Sequence, residues 1–178
     1  MGKINKGLYS SERHDWMTPP HLLEAILEAS EAPYFSLDPC AGSIPDEPGC
    51  NVPAETHYFP PLYDGLAEPW FGLVFMNPPY GAGLPKWTAK ARAEAEKGAE
   101  VWGLLPYRPD TAYFHRDVYG APGPIFVFRG RVSFIAPSGK KAGSAPFPTS
   151  TKYWGPDRHK MRNLAEKLRG SIVESVRI

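Results

Sequence analysis

Only two cysteines, Cys40 and Cys50, occur in the 178 residues. With no export signal, two thiols do not make a disulfide framework, and reduced cysteines are expected. The five histidines stand singly, without partners at ligand spacing, so no metal site is expected. Long apolar runs are also missing. The longest, Phe71 to Met76, is interrupted by Gly72 and is far too short to cross a bilayer. Residues 1–16 are polar and hold no apolar signal-peptide core, and Lys6 stands where N-myristoylation requires Ser or Thr. These absences together predict a soluble, cytoplasmic chain with no membrane partner.

Acid is missing from one long stretch. Between Val118 and Pro156 there is no Asp or Glu, while Arg129, Arg131, Lys140, Lys141 and Lys152 make the segment +5. The other residues hold 15 of the 20 basic side chains and all 19 acids, or −4, which restores the net charge of +1. Such a segment is either a solvated face or a surface for an anionic partner.

What is present describes a globular domain. A hydrophobic share of 42% against 22% charged residues excludes wholesale disorder. The length suits a single domain over residues 1–178. Twenty-one prolines, spread rather than repeated, predict stiffened connections instead of a proline-rich linker.

Along the chain, Thr18-Pro19-Pro20 before Leu22, Leu23, Ile26 and Leu27 reads as a helix start, with Thr18 as cap. Residues 34–37 read as a short strand ending at Asp38-Pro39, and 41–57 as a long loop. Leu73 to Met76 reads as a strand buried on both faces. A helix from Leu84 to Lys97 is stopped by Gly98. Val101 to Leu105 is another buried strand, and residues 110–118 a helix capped by Asp110. Ile125–Phe128 and Val132–Ile135 flank Arg129-Gly130-Arg131 and predict a hairpin. A basic loop, 138–148, leads to a strand at 151–154, an amphipathic helix at 157–168, and a last strand or tail at 171–178. The alternation predicts an α/β fold: a mostly parallel sheet with antiparallel strands toward the C-terminal end and helices on both faces.

The strongest chemical signal is Asn77-Pro78-Pro79-Tyr80 at the end of the buried strand. Ligands of open α/β sheets bind beyond the carboxyl ends of strands. Two prolines fix the backbone, so an Asn amide oxygen and a neighbouring main-chain carbonyl are held as acceptors. That pair suits an exocyclic –NH₂ group, and Tyr80 offers a flat face for a base. The bland alternative is a rigid turn. A second constellation, Asp38-Pro39-Cys40-Ala41-Gly42, also leaves a strand. Its small residues permit close approach of a nucleoside-containing cofactor, or simply form a turn.

In order, Asp15-Trp16-Met17-Thr18-Pro19-Pro20, Leu37-Asp38-Pro39, Asp64-Gly65-Leu66 with Pro69-Trp70, Met76-Asn77-Pro78-Pro79-Tyr80, and Phe128-Arg129-Gly130-Arg131-Val132-Ser133-Phe134 resemble the phage-type DNA N-6-adenine methyltransferases, the Dam-like family. The resemblance spans residues 14–155. It implies a Rossmann-like fold, S-adenosylmethionine as cofactor and adenine N6 of DNA as methyl acceptor. It also implies a bacterial or phage-infected host cell and a link to phage or restriction-modification biology. Asn77, Pro78, Pro79 and Tyr80 look like the catalytic tetrad. Trp16, Thr18, Pro19, Asp38, Pro39, Cys40, Ala41, Gly42, Asp64, Leu66 and Asn77 look like cofactor-binding positions. Arg129, Arg131, Lys140, Lys141 and Lys152 then have phosphates to neutralise.

Two departures accompany the likeness. After Gly42 comes Ser43-Ile44-Pro45 rather than a Gly-x-Gly spacing. Residues 43–57 show no second strand ending in an acid, leaving Glu55 as the nearest candidate for a ribose. There is no length for a separate target-recognition domain. The same tetrad serves cytosine N4, RNA bases or glutamine amides, and a nucleic-acid-binding relative with impaired catalysis is a further alternative.

Overall fold

The computed structural model describes residues 17–42, 50–136 and 141–174, with only the backbone of 141–143. Trp16 and Lys140 lie outside the described residues.

Helix α1 spans Pro20–Ala29. Pro20 fits its first turn, where an N–H would have no helical partner, and Leu22, Leu23, Ile26 and Leu27 form one buried face. Each such side chain contributes about 1.5–3 kcal/mol by leaving water. The N-cap is Pro19, and no side chain caps the helix. Thr18, expected as the cap, instead buries its hydroxyl with no hydrogen-bond partner among the described residues. The helix ends as the Ser30 N–H bonds the Ile26 carbonyl at 2.9 Å and Glu31 takes a positive φ of 54°.

The strands are β1 (Phe35–Asp38), β2 (Ala54–His57), β3 (Leu73–Met76), β4 (Glu100–Pro106), β5 (Ile125–Phe128), β6 (Ser133–Ile135), β7 (Lys141–Ser144), β8 (Thr149–Trp154) and β9 (Gly170–Val173). Seven form one sheet in the order β2-β1-β3-β4-β8-β5-β9. The pairings β1 with β2, β1 with β3 and β3 with β4 are parallel. Those of β4 with β8, β5 with β8 and β5 with β9 are antiparallel. The fold is therefore mixed α/β, with its parallel half N-terminal. β6 and β7 form a separate two-stranded ribbon.

Successive residues of one strand divide between two cores, as the two-residue period of a strand requires. Phe75, Trp102, Leu104 and Tyr153 join α1 and helix α3 (Arg158–Lys167) in one. Val74, Met76, Val101 and Leu105 join helix α2 (Leu84–Glu96) in the other, together with a π-helical segment, Phe114–Tyr119. Gly98, at φ +110°, turns the chain out of α2. The Asp157 carboxylate caps α3 by accepting the His159 N–H at 2.9 Å.

Three further expectations are corrected. The stretch 41–57 is not all loop, because β2 occupies its end and pairs with β1. Its even mixture of Glu, Thr and His carries no apolar alternation for a sequence reading to detect. The strands flanking Arg129-Gly130-Arg131 do not form a hairpin: β5 inserts between β8 and β9, whereas β6 pairs with β7. The basic loop thus contains a strand of its own. The helix expected at residues 110–118 forms, α-helical at 112–113 and π-helical over Phe114–Tyr119, but Asp110 is not the N-cap of its π-helical part, which is Tyr113.

Candidate functional site

Because β1, β3 and β4 run parallel, their carboxyl ends share one edge of the sheet, and β5 delivers Arg129 to the same edge. The Asp38 and Asn77 segments meet there through Cys40. The Cys40 N–H donates to Asp38 Oδ1 at 3.0 Å, and the Asn77 backbone N–H faces the Cys40 thiol. Burial and the Asp38 carboxylate push that thiol well above its ordinary pKa. Asp38 is itself only 4% exposed. Burial raises its pKa to about 6, against the lowering effects of the Cys40 N–H and the neighbouring His57. A carboxyl desolvated to this degree lacks a full complement of positive partners.

The loop after β1 is held from below. The Ala41 N–H bonds the Tyr58 carbonyl at 3.1 Å, and the Tyr58 N–H bonds the Asp38 carbonyl at 2.9 Å. Gly42 is exposed beside it. The Asp64-Gly65-Leu66 turn closes onto this loop. Asp64 Oδ1 accepts the Leu66 N–H at 2.9 Å, and Trp70 Nε1 donates to the Gly65 carbonyl at 2.7 Å. A Cβ added to Gly65 would stand 1.8 Å from the buried Pro39 carbonyl oxygen. Segments 26 residues apart in sequence are thereby in direct contact.

The N-terminal element reaches the edge by another route. Met17 and Ile135 exchange backbone hydrogen bonds of 2.9 and 3.1 Å, and Asn51 Nδ2 donates to the Thr18 carbonyl at 2.6 Å. β6 carries Phe134, whose ring meets Tyr80 edge-on at 6.0 Å, and Phe147 meets it at 5.5 Å. The Tyr80 oxygen lies 2.8 Å from Asn77 Oδ1 and 3.0 Å from the Leu104 carbonyl oxygen. Burial pushes the Tyr80 hydroxyl well above its ordinary pKa. Pro78 is buried and Pro79 half-buried.

The donor set suits a cationic ligand: the Asp38 carboxyl is buried without a full complement of positive partners, and among the described residues the Thr18 hydroxyl, 1% exposed, has no hydrogen-bond partner. Glu55, considered for a ribose, stands exposed within β2, and His57 rather than an acid ends that strand. Among the described residues, no group of three or more His, Cys, Asp or Glu is gathered as a metal site requires.

The basic residues separate. Arg129 and Arg131 are exposed, and no ion pair among the described residues involves either. Lys141 belongs to β7, with its side chain outside the described residues. Lys152 departs from the expected solvent-facing cation. It is fully buried, and its Nζ donates to the Ala121 carbonyl at 3.2 Å and to that of Gly123. Burial, with Arg158 nearby, lowers its pKa to about 7. All of β8 is buried, and the Ala121 and Gly123 carbonyls lie against the Lys152 ammonium.

Sequence reasoning missed Arg169. It is exposed beside Arg129, whose N–H donates to its carbonyl at 2.9 Å. It lies outside the acid-free stretch, and only β5–β9 pairing brings the two together. Phe147 and the Leu104 carbonyl were missed too. A phenylalanine between two prolines carries a weak signal, and a backbone carbonyl carries none.

Among curated proteins none matches the chain. The sequence profile of the DNA N-6-adenine-methyltransferase (Dam) family matches residues 6–161.

Proposed function

Since the chain belongs to the DNA N-6-adenine-methyltransferase (Dam) family, we propose that it transfers a methyl group from S-adenosylmethionine to adenine N6 in DNA on a Rossmann-like sheet. The observation that carries this reading is the convergence of Asp38, Cys40 and Asn77 at one sheet edge. One side of that cluster suits a cationic cofactor, and the other an amine.

S-adenosylmethionine, when bound, supplies a methyl group already activated by its sulfonium. Asp38 and Thr18, with the Pro39 to Gly42 loop and the Asp64–Leu66 turn, would hold it. Asn77 and the Pro78 carbonyl serve as acceptors for the exocyclic amine. They favour the tetrahedral, positively charged nitrogen that develops as the bond forms, so they bind the transition state better than the ground state. Much of the acceleration comes from holding the reacting groups together. Adenine N6 is paired in a duplex, so the base must be flipped out, and the Tyr80 ring replaces its lost stacking. Arg129, Arg131 and Arg169 neutralise phosphates at the same edge.

The test is incubation with methyl-labelled cofactor and unmethylated DNA, followed by digestion to nucleosides. Label in N6-methyl-2′-deoxyadenosine supports the reading. Label in a cytosine derivative, or no label in DNA, overturns it.

A further inference from the structure

We propose that the Tyr80 hydroxyl is a positioning group that fixes which end of the Asn77 side-chain amide faces the substrate. The inference rests on the methyltransferase reading for its functional meaning, but not for its geometry.

The Tyr80 oxygen has two close oxygen neighbours, Asn77 Oδ1 at 2.8 Å and the Leu104 carbonyl at 3.0 Å. A phenol has one proton, and both neighbours are acceptors. One contact would therefore be two oxygens pressed together with no hydrogen between them. The Leu104 carbonyl can only accept. The amide of Asn77 can do either, because a half-turn exchanges its oxygen and nitrogen without changing its shape.

With Nδ2 toward Tyr80 the conflict disappears. Tyr80 donates to Leu104 and accepts from the Asn77 N–H, so both contacts become hydrogen bonds. Burial also keeps the phenol protonated, having raised its pKa. The amide oxygen is then on the side away from Tyr80. The opposite orientation would present N–H donors to an amine that is itself a donor. β4 thus dictates the polarity of the side chain that follows β3, and the spacing of Asn and Tyr in Asn77-Pro78-Pro79-Tyr80 lets the phenol reach both Asn77 and Leu104.

The decisive experiment is NMR of the ¹⁵N-labelled protein, with the Asn77 side-chain amide assigned by its loss in Asn77→Asp. The expected result is nuclear Overhauser contacts between the Asn77 amide protons and the Tyr80 ring, with one amide proton protected from exchange. Amide protons that exchange freely and show no contact with that ring would overturn the proposal. The kinetic arm uses Tyr80→Phe, which keeps the ring. Loss of one such hydrogen bond should lower kcat about tenfold while KM for DNA stays within about twofold. An unchanged kcat would also overturn it. If Tyr80→Phe does not fold, the parent protein's spectrum decides alone. If the parent transfers no methyl group to DNA, the functional reading fails, and the amide orientation is still decided by the spectrum.

Discussion

Gly65 and Pro39 are in van der Waals contact through a space that no side chain can enter: a Cβ on Gly65 would meet the Pro39 carbonyl oxygen at 1.8 Å. The partner atom is backbone in a loop hydrogen-bonded to Tyr58, so it has little freedom to retreat. Gly65→Ala should lower stability by about 1–3 kcal/mol and weaken cofactor binding by displacing the loop after β1. Urea unfolding and calorimetry measure the two effects. A variant with parent stability would show that the Asp64–Leu66 turn moves freely over Pro39.

Asn77→Ala should leave S-adenosylmethionine affinity nearly intact while lowering turnover by about 10² to 10³, the usual loss for one transition-state hydrogen bond of this kind. Single-turnover methylation is the appropriate measurement. A rate equal to the parent's would remove Asn77 from the chemistry.

The Asp38 carboxyl has a pKa raised to about 6 by burial. Its neutral form is favoured by folding, so its contribution to stability is complete below its ordinary pKa and is lost as pH rises through 6. A cationic cofactor needs the ionised form. S-adenosylmethionine should therefore bind more weakly below pH 6, by up to about tenfold per pH unit. Asp38→Asn should bind weakly and show no such slope between pH 5 and 8. A slope shared by both proteins would assign the titration to another group.

Arg129, Arg131 and Arg169 are exposed, and the Arg129 N–H bonds the Arg169 carbonyl where β5 ends. Replacing each with alanine should reduce the slope of log DNA affinity against log salt by about 0.9 per phosphate contact removed. The Lys152→Met variant is the control, since its side chain is buried and should leave the slope unchanged. Identical slopes for the triple variant and the parent would refute the DNA-facing assignment.

Lys152 has a folded-state pKa of about 7, below its ordinary 10.5. Above pH 7 the unfolded chain holds the proton that the folded chain has released, so stability gains with pH until the unfolded lysine also titrates. The parent should gain stability relative to Lys152→Met between pH 7 and 9.5, with a slope of at most about 1.4 kcal/mol per pH unit. Parallel stability curves would show that the buried amine keeps its proton through this range.

The sequence by itself determined the elements whose signals are local. The apolar run before Asn77 specified β3, the spacing of Leu22, Leu23, Ile26 and Leu27 specified α1, and Pro78-Pro79 fixed the geometry of the tetrad. Each depends on neighbours within a few residues. The tertiary structure decided what depends on pairing across the chain. β5 and β6 look like a hairpin in sequence, but β5 pairs with the buried β8 on one side and β9 on the other. Lys152 looks like a phosphate contact until β8 is placed inside the sheet, where the Ala121 and Gly123 carbonyls receive it. Asp38 acquires its raised pKa from burial beside β2 and β3, and the Tyr80 hydroxyl finds a carbonyl 24 residues away on β4. A residue's type fixes which hydrogen bonds and charges it can offer, but its desolvation and its partners are set by chain segments brought together only on folding.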